Sequence, residues 1–271
     1  MNTLEHKMVE ALSDLRENHG VTGIKAEFEA EGTRIEEALR LKEVVMRAGL
    51  GLTIKIGGCE AIRDMYECRT IGVERIVAPM IESAFALKKF LLASKLAFPD
   101  DERKDIKFAA NIETITGCMN FEEMLALKEI DGLDGIVMGR VDLTGSLGMS
   151  REEINSRKVF EITQSLFEKS HQKGLKNAVG GGVSAQSLPF LRELPMGTLD
   201  RYETRKVIFQ CPGALEKEPE KGILKAVGFE LLWLRNKRDF YNGISMEDNQ
   251  RLIMLEARYK TLIEKAGGLL E

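Results

Sequence analysis

The sequence predicts a closed (β/α)8 barrel with a C-terminal helical extension. Three observations lead there. From Gly23 onward, short apolar runs alternate with helical patterns at intervals of about 25 to 30 residues, as parallel strands joined by crossover helices do. Several of those runs carry charge on one parity only. Two successive runs each close on a carboxylate, Glu113 and Asp142, which suggests a shared site at one end of the sheet and, most simply, a divalent metal.

Bulk properties narrow the field. A chain of 271 residues buries a sizeable core. Its net charge of −4 gives no broad attraction for nucleic acid or an anionic membrane surface, so neither is an expected partner. No apolar run approaches the roughly 20 residues that span a bilayer, and the N-terminus has no signal-peptide core. Cys59, Cys68, Cys118 and Cys211 form no C-x-x-C pair, which speaks for reduced thiols in a cytoplasmic protein.

The elements follow in order. Residues 1–18 read as an amphipathic helix with Leu4, Met8, Leu12 and Leu15 on one stripe, closed by Gly20. Strict alternation makes 23–29 a strand, and Thr33 is placed to cap a helix over 34–48. Strands are expected over 52–56, 75–80, 107–113, 135–140 and 176–180. Helices are expected over 60–70, from Ser83 to about Phe98, over 120–129, and from Ser150 to about Lys173. A seventh strand lies over 201–207; the eighth is not apparent, and falls near 188–194 or forms irregularly. Beyond Pro212 the pattern turns helical over about 223–236 and 246–265. The domain reading is therefore a barrel over 1–212, with helices over 213–271 packing on it or on a neighbouring subunit.

Strand parity locates the site. Ile24, Ala26 and Phe28 oppose Lys25, Glu27 and Glu29; Leu52, Ile54 and Ile56 oppose Thr53 and Lys55; Phe108, Ala110 and Ile112 oppose Asn111 and Glu113. Helix-covered strands of an open parallel sheet are apolar on both faces. Charges buried under helices without partners cost several kcal/mol each. A closed barrel turns such side chains inward, toward the open mouth at the carboxyl ends of its strands.

At Glu113 and Asp142 the chain resembles the HpcH/HpaI aldolase and citrate lyase family of the phosphoenolpyruvate/pyruvate-binding TIM-barrel superfamily. The run from Gly72 through Pro79-Met80-Ile81-Glu82-Ser83-Ala84 is similar to its G-x-x-G-I-x-x-P-M-V-x-S-A motif, and Ile112-Glu113-Thr114 to its I-E-T. The run from Asp134-Gly135 through Gly139 and Asp142-Leu143-Thr144-Gly145-Ser146-Leu147-Gly148 is similar to D-G-x-x-x-G-x-x-D-L-S-x-S-L-G. The resemblance implies that Glu113 and Asp142 bind a divalent metal, Mg2+ or Mn2+, which chelates a 2-oxo acid such as pyruvate. Lys55 stands at the position of the basic residue, usually Arg, that steadies the oxo group. The implied protein is a metal-dependent carbon–carbon lyase of aldolase type acting through a metal-stabilised enolate, and a homo-oligomer.

The departures from the family define the open questions. Its early strand ends in an acid followed by Glu-His, and that His is its proposed acid/base; here Glu27-Phe28-Glu29-Ala30 puts Ala30 at the His position. Proton transfer then falls to Glu29, Glu27 or Lys25. His6, His19 and His171 read as surface residues. The family's Pro after Gly139 is Arg140, a cation that suits a substrate phosphate or second carboxylate. Arg205, on the inward face of the last strand, either joins it or pairs with Glu203 or Glu29. The family's opening strand is missing, which leaves the N-terminal helix to plug the barrel bottom. Gly180-Gly181-Gly182 is a phosphate cradle or a tight turn. Two other readings stay open: chemistry on phosphoenolpyruvate or a phosphorylated analogue, and a catalytically silent binder of metal and oxo acid.

Overall fold

The computed structural model describes residues 1–216 and 218–268. Eight strands close a barrel in chain order: β1 (Val21–Glu27), β2 (Gly51–Lys55), β3 (Arg75–Ala78), β4 (Lys107–Ile112), β5 (Gly135–Gly139), β6 (Lys176–Gly180), β7 (Arg201–Glu203) and β8 (Val207–Gln210). Around it run α1 (Thr3–His19), α2 (Ile35–Arg47), α3 (Ile62–Ile71), α4 (Ala84–Ala97), α5 (Asp100–Arg103) and α6 (Ile115–Met119). They are followed by α7 (Phe121–Leu125), α8 (Arg140–Ser146), α9 (Arg157–Gln172), α10 (Leu188–Glu193), α11 (Gly213–Glu216) and α12 (Pro219–Lys265). The expected barrel is therefore present. No helix of the described residues is long and apolar enough to cross a membrane.

The strand register carries the parity argument around the whole barrel. Glu27 pairs with Lys55, Lys55 with Val77, Val77 with Ala109, Val137 with Ala178, and Ala178 with Arg201. Residues of this parity share the inner face. Those of the other parity, such as Ile24, Leu52, Ile76, Phe108 and Met138, belong to the main core between barrel and helices. Inside, Val77, Ala109, Val137 and Ala178 form a separate small aliphatic cluster. The middle of the interior thus has an apolar side on β3–β6 and a charged side on β1, β2 and β7.

Two expectations about topology are corrected. The strand expected over 201–207 is a hairpin: β8 runs antiparallel to both β7 and β1 and closes the barrel between them. Thr204 makes the turn, its N–H donating to Val207 O at 3.0 Å and its Oγ1 accepting from Val207 N–H at 3.1 Å. Strands of three and four residues are too short for a period-2 pattern to separate them, and the 188–194 stretch is α10, with Pro189 in its first turn. The N-terminal helix, for its part, does not plug the barrel. α1 lies in the outer ring, antiparallel to α12, with Asn2 bonded to Asn236 at 2.7 Å and His19 packed on Gly222. Arg40 of α2 holds its other flank through a 2.5 Å ion pair to Glu5.

Helix boundaries follow local chemistry. Asn2 caps α1 in a capping box with Glu5, Ser83 caps α4, and Ser156, not Ser150, caps α9. Thr33 does not cap α2, which starts after Arg34. The two C-terminal helices expected from the pattern are one 47-residue helix, α12, running through Asn242-Gly243 without a break. Its first half docks through Ile223, Ala226, Phe229 and Trp233, all buried; its second half is exposed. Phe229 is fully buried, so Phe229→Ala should lower stability to urea by about 3–5 kcal/mol. Leu224→Ala on the exposed face of the same helix should change it by no more than about 0.5 kcal/mol.

Candidate active site at the carboxyl end of the barrel

Three sequence motifs converge where β3, β4 and β5 end. Glu113 follows β4 directly and is 2% exposed. Its Oε1 accepts the Met80 N–H at 3.0 Å and its Oε2 accepts from Asn111 Nδ2 at 2.9 Å. Met80 adopts φ +49, a left-handed conformation that costs a side-chain-bearing residue about 1–2 kcal/mol. The turn aims its N–H at the carboxylate, which gives the Pro79-Met80 pair a structural role. Thr114 Oγ1 donates to Glu82 at 2.7 Å, and Ile115 N–H donates to Ser146 Oγ at 2.9 Å. The loops after β3, β4 and β5 are thereby tied into one rim.

Gly139 completes the setting of Glu113. A Cβ there would stand 2.3 Å from Glu113 Oε2, so only glycine lets the carboxylate lie over the end of β5. Asp142 sits in the first turn of α8, exposed, with no ion pair or side-chain hydrogen bond among the described residues. Burial pushes the Glu113 carboxyl above the usual carboxylate range, against the Met80 N–H and the Lys55 charge; the charge of Asp142 adds to the rise. No third His, Cys, Asp or Glu among the described residues gathers with these two. The pair fits a hard divalent cation of the Mg2+ type. Such an ion takes one or two protein carboxylates and keeps its other positions for water and substrate, and a cation beside Glu113 favours its ionised form.

The charged side of the interior is an alternating chain across β7, β1 and β2. Lys25 lies 3.2 Å from Glu203 and 3.4 Å from Glu27; Lys55 lies 3.6 Å from Glu27 and 2.7 Å from Glu29. All but Glu29 are largely buried. Burial works against each charge, and the alternation outweighs it. Lys25 is held well above the usual lysine range by Glu203 and Glu27. Lys55 is raised by its contact with Glu29 and by the charges of Glu27 and Glu113. Glu27 is lowered by Lys25 and Lys55. Lys55 therefore stands as a fixed cation between the acids of β1 and Glu113.

The two arginines expected to bind substrate lie elsewhere. Arg140 is 0% exposed. Its guanidinium donates to Gly180 O, Gly181 O, Asn155 Oδ1 and Ser187 Oγ and lies 4.9 Å over the Phe190 ring. These donors are taken by the β6 loop and its following turn and by Asn155 ahead of α9, and burial lowers the Arg140 pKa to about 10. Arg205 sits in the β7–β8 turn, more than half exposed, paired with Glu31 at 3.2 Å and Glu230 at 3.6 Å. It contacts neither Glu203 nor Glu29. The glycine run is a tight turn whose carbonyls serve Arg140: a Cβ on Gly181 would meet the Arg140 nitrogen at 2.6 Å. His6 and His171 are exposed as expected, but His19 is buried against α12, 3.1 Å from Lys225 Nζ and outside the mouth.

Sequence reasoning missed Glu203 as the partner of Lys25 and Asn111 as the donor that fixes Glu113. Both share the inward parity that singled out their neighbours, so that signal was sufficient. Met80 carried no sequence signal for its backbone role beyond its place in the motif.

A closed barrel with Glu113, Asp142 and the buried Lys55 at its carboxyl rim presents a candidate active centre. The chain belongs to the HpcH/HpaI aldolase/citrate lyase family, whose model matches residues 34–180. That membership supports a lyase-type activity. No curated protein matches the sequence. Among solved structures, an HpcH/HpaI aldolase from Desulfitobacterium hafniense DCB-2 superposes with a TM-score of 0.61 at 16% identity, over 75% of this chain and 82% of that one. The citrate synthase SbnG superposes with a TM-score of 0.58 at 16% identity, over 84% and 98%. An HpcH/HpaI aldolase/citrate lyase family protein from Burkholderia cenocepacia J2315 gives 0.55 at 14% identity, over 71% and 89%. At these identities the likeness is one of fold.

Two outcomes follow. Arg140→Met strands four acceptors, two of them on buried residues (Gly180 and Ser187), and should destabilise the protein by about 2–4 kcal/mol in urea unfolding. Glu113 has a folded pKa above its unfolded value, so the stability it contributes is full at low pH. It is lost as pH rises from about 4.3 through the folded pKa. Glu113→Gln cannot ionise and should gain stability relative to wild type as pH rises from 4 to 8. A difference independent of pH contradicts the assignment.

Proposed function

We propose that the protein is a divalent-metal-dependent lyase that breaks, or in reverse forms, a carbon–carbon bond beside a 2-oxo acid. The observation that carries the reading is Glu113, buried and fixed by Met80 and Asn111, with the charge of Lys55 acting on it and an unpartnered Asp142 alongside. Glu113 and Asp142 are the residues that would hold Mg2+ or Mn2+. The metal supplies Lewis-acid stabilisation of the negative charge that develops on the oxo group as the bond breaks.

The remaining work belongs to the chain. Lys55 offers a permanent ammonium to the substrate carboxylate or oxo oxygen, as a point charge rather than the bidentate fork of an arginine. Glu27, shared between Lys25 and Lys55, stays ionised and positions Lys55. Glu29 is the more exposed acid, with Lys55 its one ion-pair partner among the described residues. We assign to it the proton of the substrate 4-hydroxyl: as Glu29 takes that proton, the C3–C4 bond breaks, an aldehyde leaves, and C3 is then protonated to give the shorter 2-oxo acid. With Ala30 at the family's His position, no imidazole competes for the role. Arg140 and Arg205 were the reason to consider phosphorylated substrates, and the protein engages both, so the unphosphorylated 2-oxo acid is the reading we retain. We place the protein in the cytoplasm, where free thiols such as its four cysteines persist. Exposed Leu252, Leu255, Tyr259 and Leu262, at three- and four-residue spacing on α12, support a homo-oligomer.

The test is pyruvate release from a panel of 4-hydroxy-2-oxo acids with Mg2+ or Mn2+. Activity should vanish on chelation, return with metal, and vanish in Glu113→Gln. Glu29→Gln should lower kcat by about 100-fold or more, and Lys55→Met should raise KM. Cleavage unaffected by chelation or by Glu113→Gln contradicts the proposal. No cleavage of any panel member, with Mn2+ and oxalate binding intact, supports the silent binder instead.

A further inference from the structure

The cations on the inner parity of the barrel are treated unequally. Lys25 and Lys55 each touch two carboxylates. Arg75 and Arg201, on β3 and β7, have neither an ion pair nor a side-chain hydrogen bond among the described residues. Arg201 is only 8% exposed and its Nε is buried with no partner. We propose that the amino-terminal end of the barrel interior binds a small inorganic oxyanion of the phosphate or sulfate type between Arg75 and Arg201.

The surroundings fit an anion. Register puts Arg75 beside Thr53, one inward step before Val77, and Arg201 beside Ala178. Gly23 and Gly135 share the inner parity near the amino ends of β1 and β5 and bring no side chain there. The nearby carboxylates are placed elsewhere. Glu203 is held by Lys25, and Asp134 by Lys107 at 3.5 Å and the Phe108 N–H at 2.7 Å. Glu74 leans over Gly51, where a Cβ would meet its carboxylate, without pairing with either arginine. Burial first, then the charge of Arg201, lowers the pKa of Arg75, against the more distant charges of Glu203, Glu74 and Asp134, none of which pairs with it. Unpaired buried charge costs several kcal/mol. Planar guanidinium forks match a tetrahedral oxyanion bidentately and a halide poorly. Arg75 stands one inward step toward the amino end from Val77, whereas Glu113 and Lys55 stand at the carboxyl end, so this anion is distinct from the substrate of the mouth.

The test uses the full chain. Thermal melting is followed against phosphate or sulfate at constant ionic strength in chloride, and a crystal is soaked in selenate for anomalous scattering. Wild type should gain melting temperature along a saturable single-site curve, and a selenium peak should lie between Arg75 and Arg201. Arg75→Lys and Arg201→Lys, which keep charge but lose the fork, should each weaken binding at least tenfold. A phosphate monoester, with one free oxygen fewer to offer the two guanidinium forks, should bind more weakly than phosphate. Equal responses in wild type and both variants, a monoester as effective as phosphate, or no selenium peak in wild-type crystals overturns the proposal. The soak decides the matter even if the variants fail to fold.

Discussion

The alternating chain Glu203–Lys25–Glu27–Lys55–Glu29 is the interaction on which the interior depends. Charges lining one side of a barrel cost heavily unless opposite signs stand beside them, since desolvation of a lone ion exceeds any single packing gain. Placing like signs on alternate neighbours lets β1, β2 and β7 turn polar residues inward. The other side, Val77, Ala109, Val137 and Ala178, stays small and dry. The same chain fixes Lys55 as a cation within reach of Glu113, so stability of the interior and readiness of the mouth are one arrangement.

Closing the barrel required a compromise elsewhere. With one parallel strand fewer than the fold's usual eight, the gap between β7 and β1 is filled by β8 running backward, and α1 completes the helical ring outside it. Arg140 holds the carboxyl side together, binding the β6 loop to the start of α8. A buried guanidinium serves there because it offers several donors at once, to the Gly180 and Gly181 carbonyls and to Asn155 and Ser187.

Much of this was legible in the sequence, and for identifiable reasons. Parity exposed Lys25, Glu27, Lys55, Asn111 and Glu113 because period-2 alternation survives in strands of five or more residues. It failed at β7 and β8, where the strands are too short. It also misled at Arg140 and Arg205: one begins a helix and the other sits in a turn, so neither obeys strand parity. Arg140 could not be assigned from sequence because its acceptors, Gly180, Gly181, Asn155 and Ser187, are distant in the chain. The two helices expected over about 223–236 and 246–265 are one, because the long runs of helix formers on either side carry the helix through Asn242-Gly243.

The central claim is that Glu113 and Asp142 together form the metal centre at the mouth. Mn2+ titration followed by electron paramagnetic resonance tests it most directly. The account predicts one site in wild type, weakened at least tenfold in Glu113→Gln and in Asp142→Asn and retained in Glu29→Gln. Equal Mn2+ affinity in wild type and in both metal-site variants would contradict it.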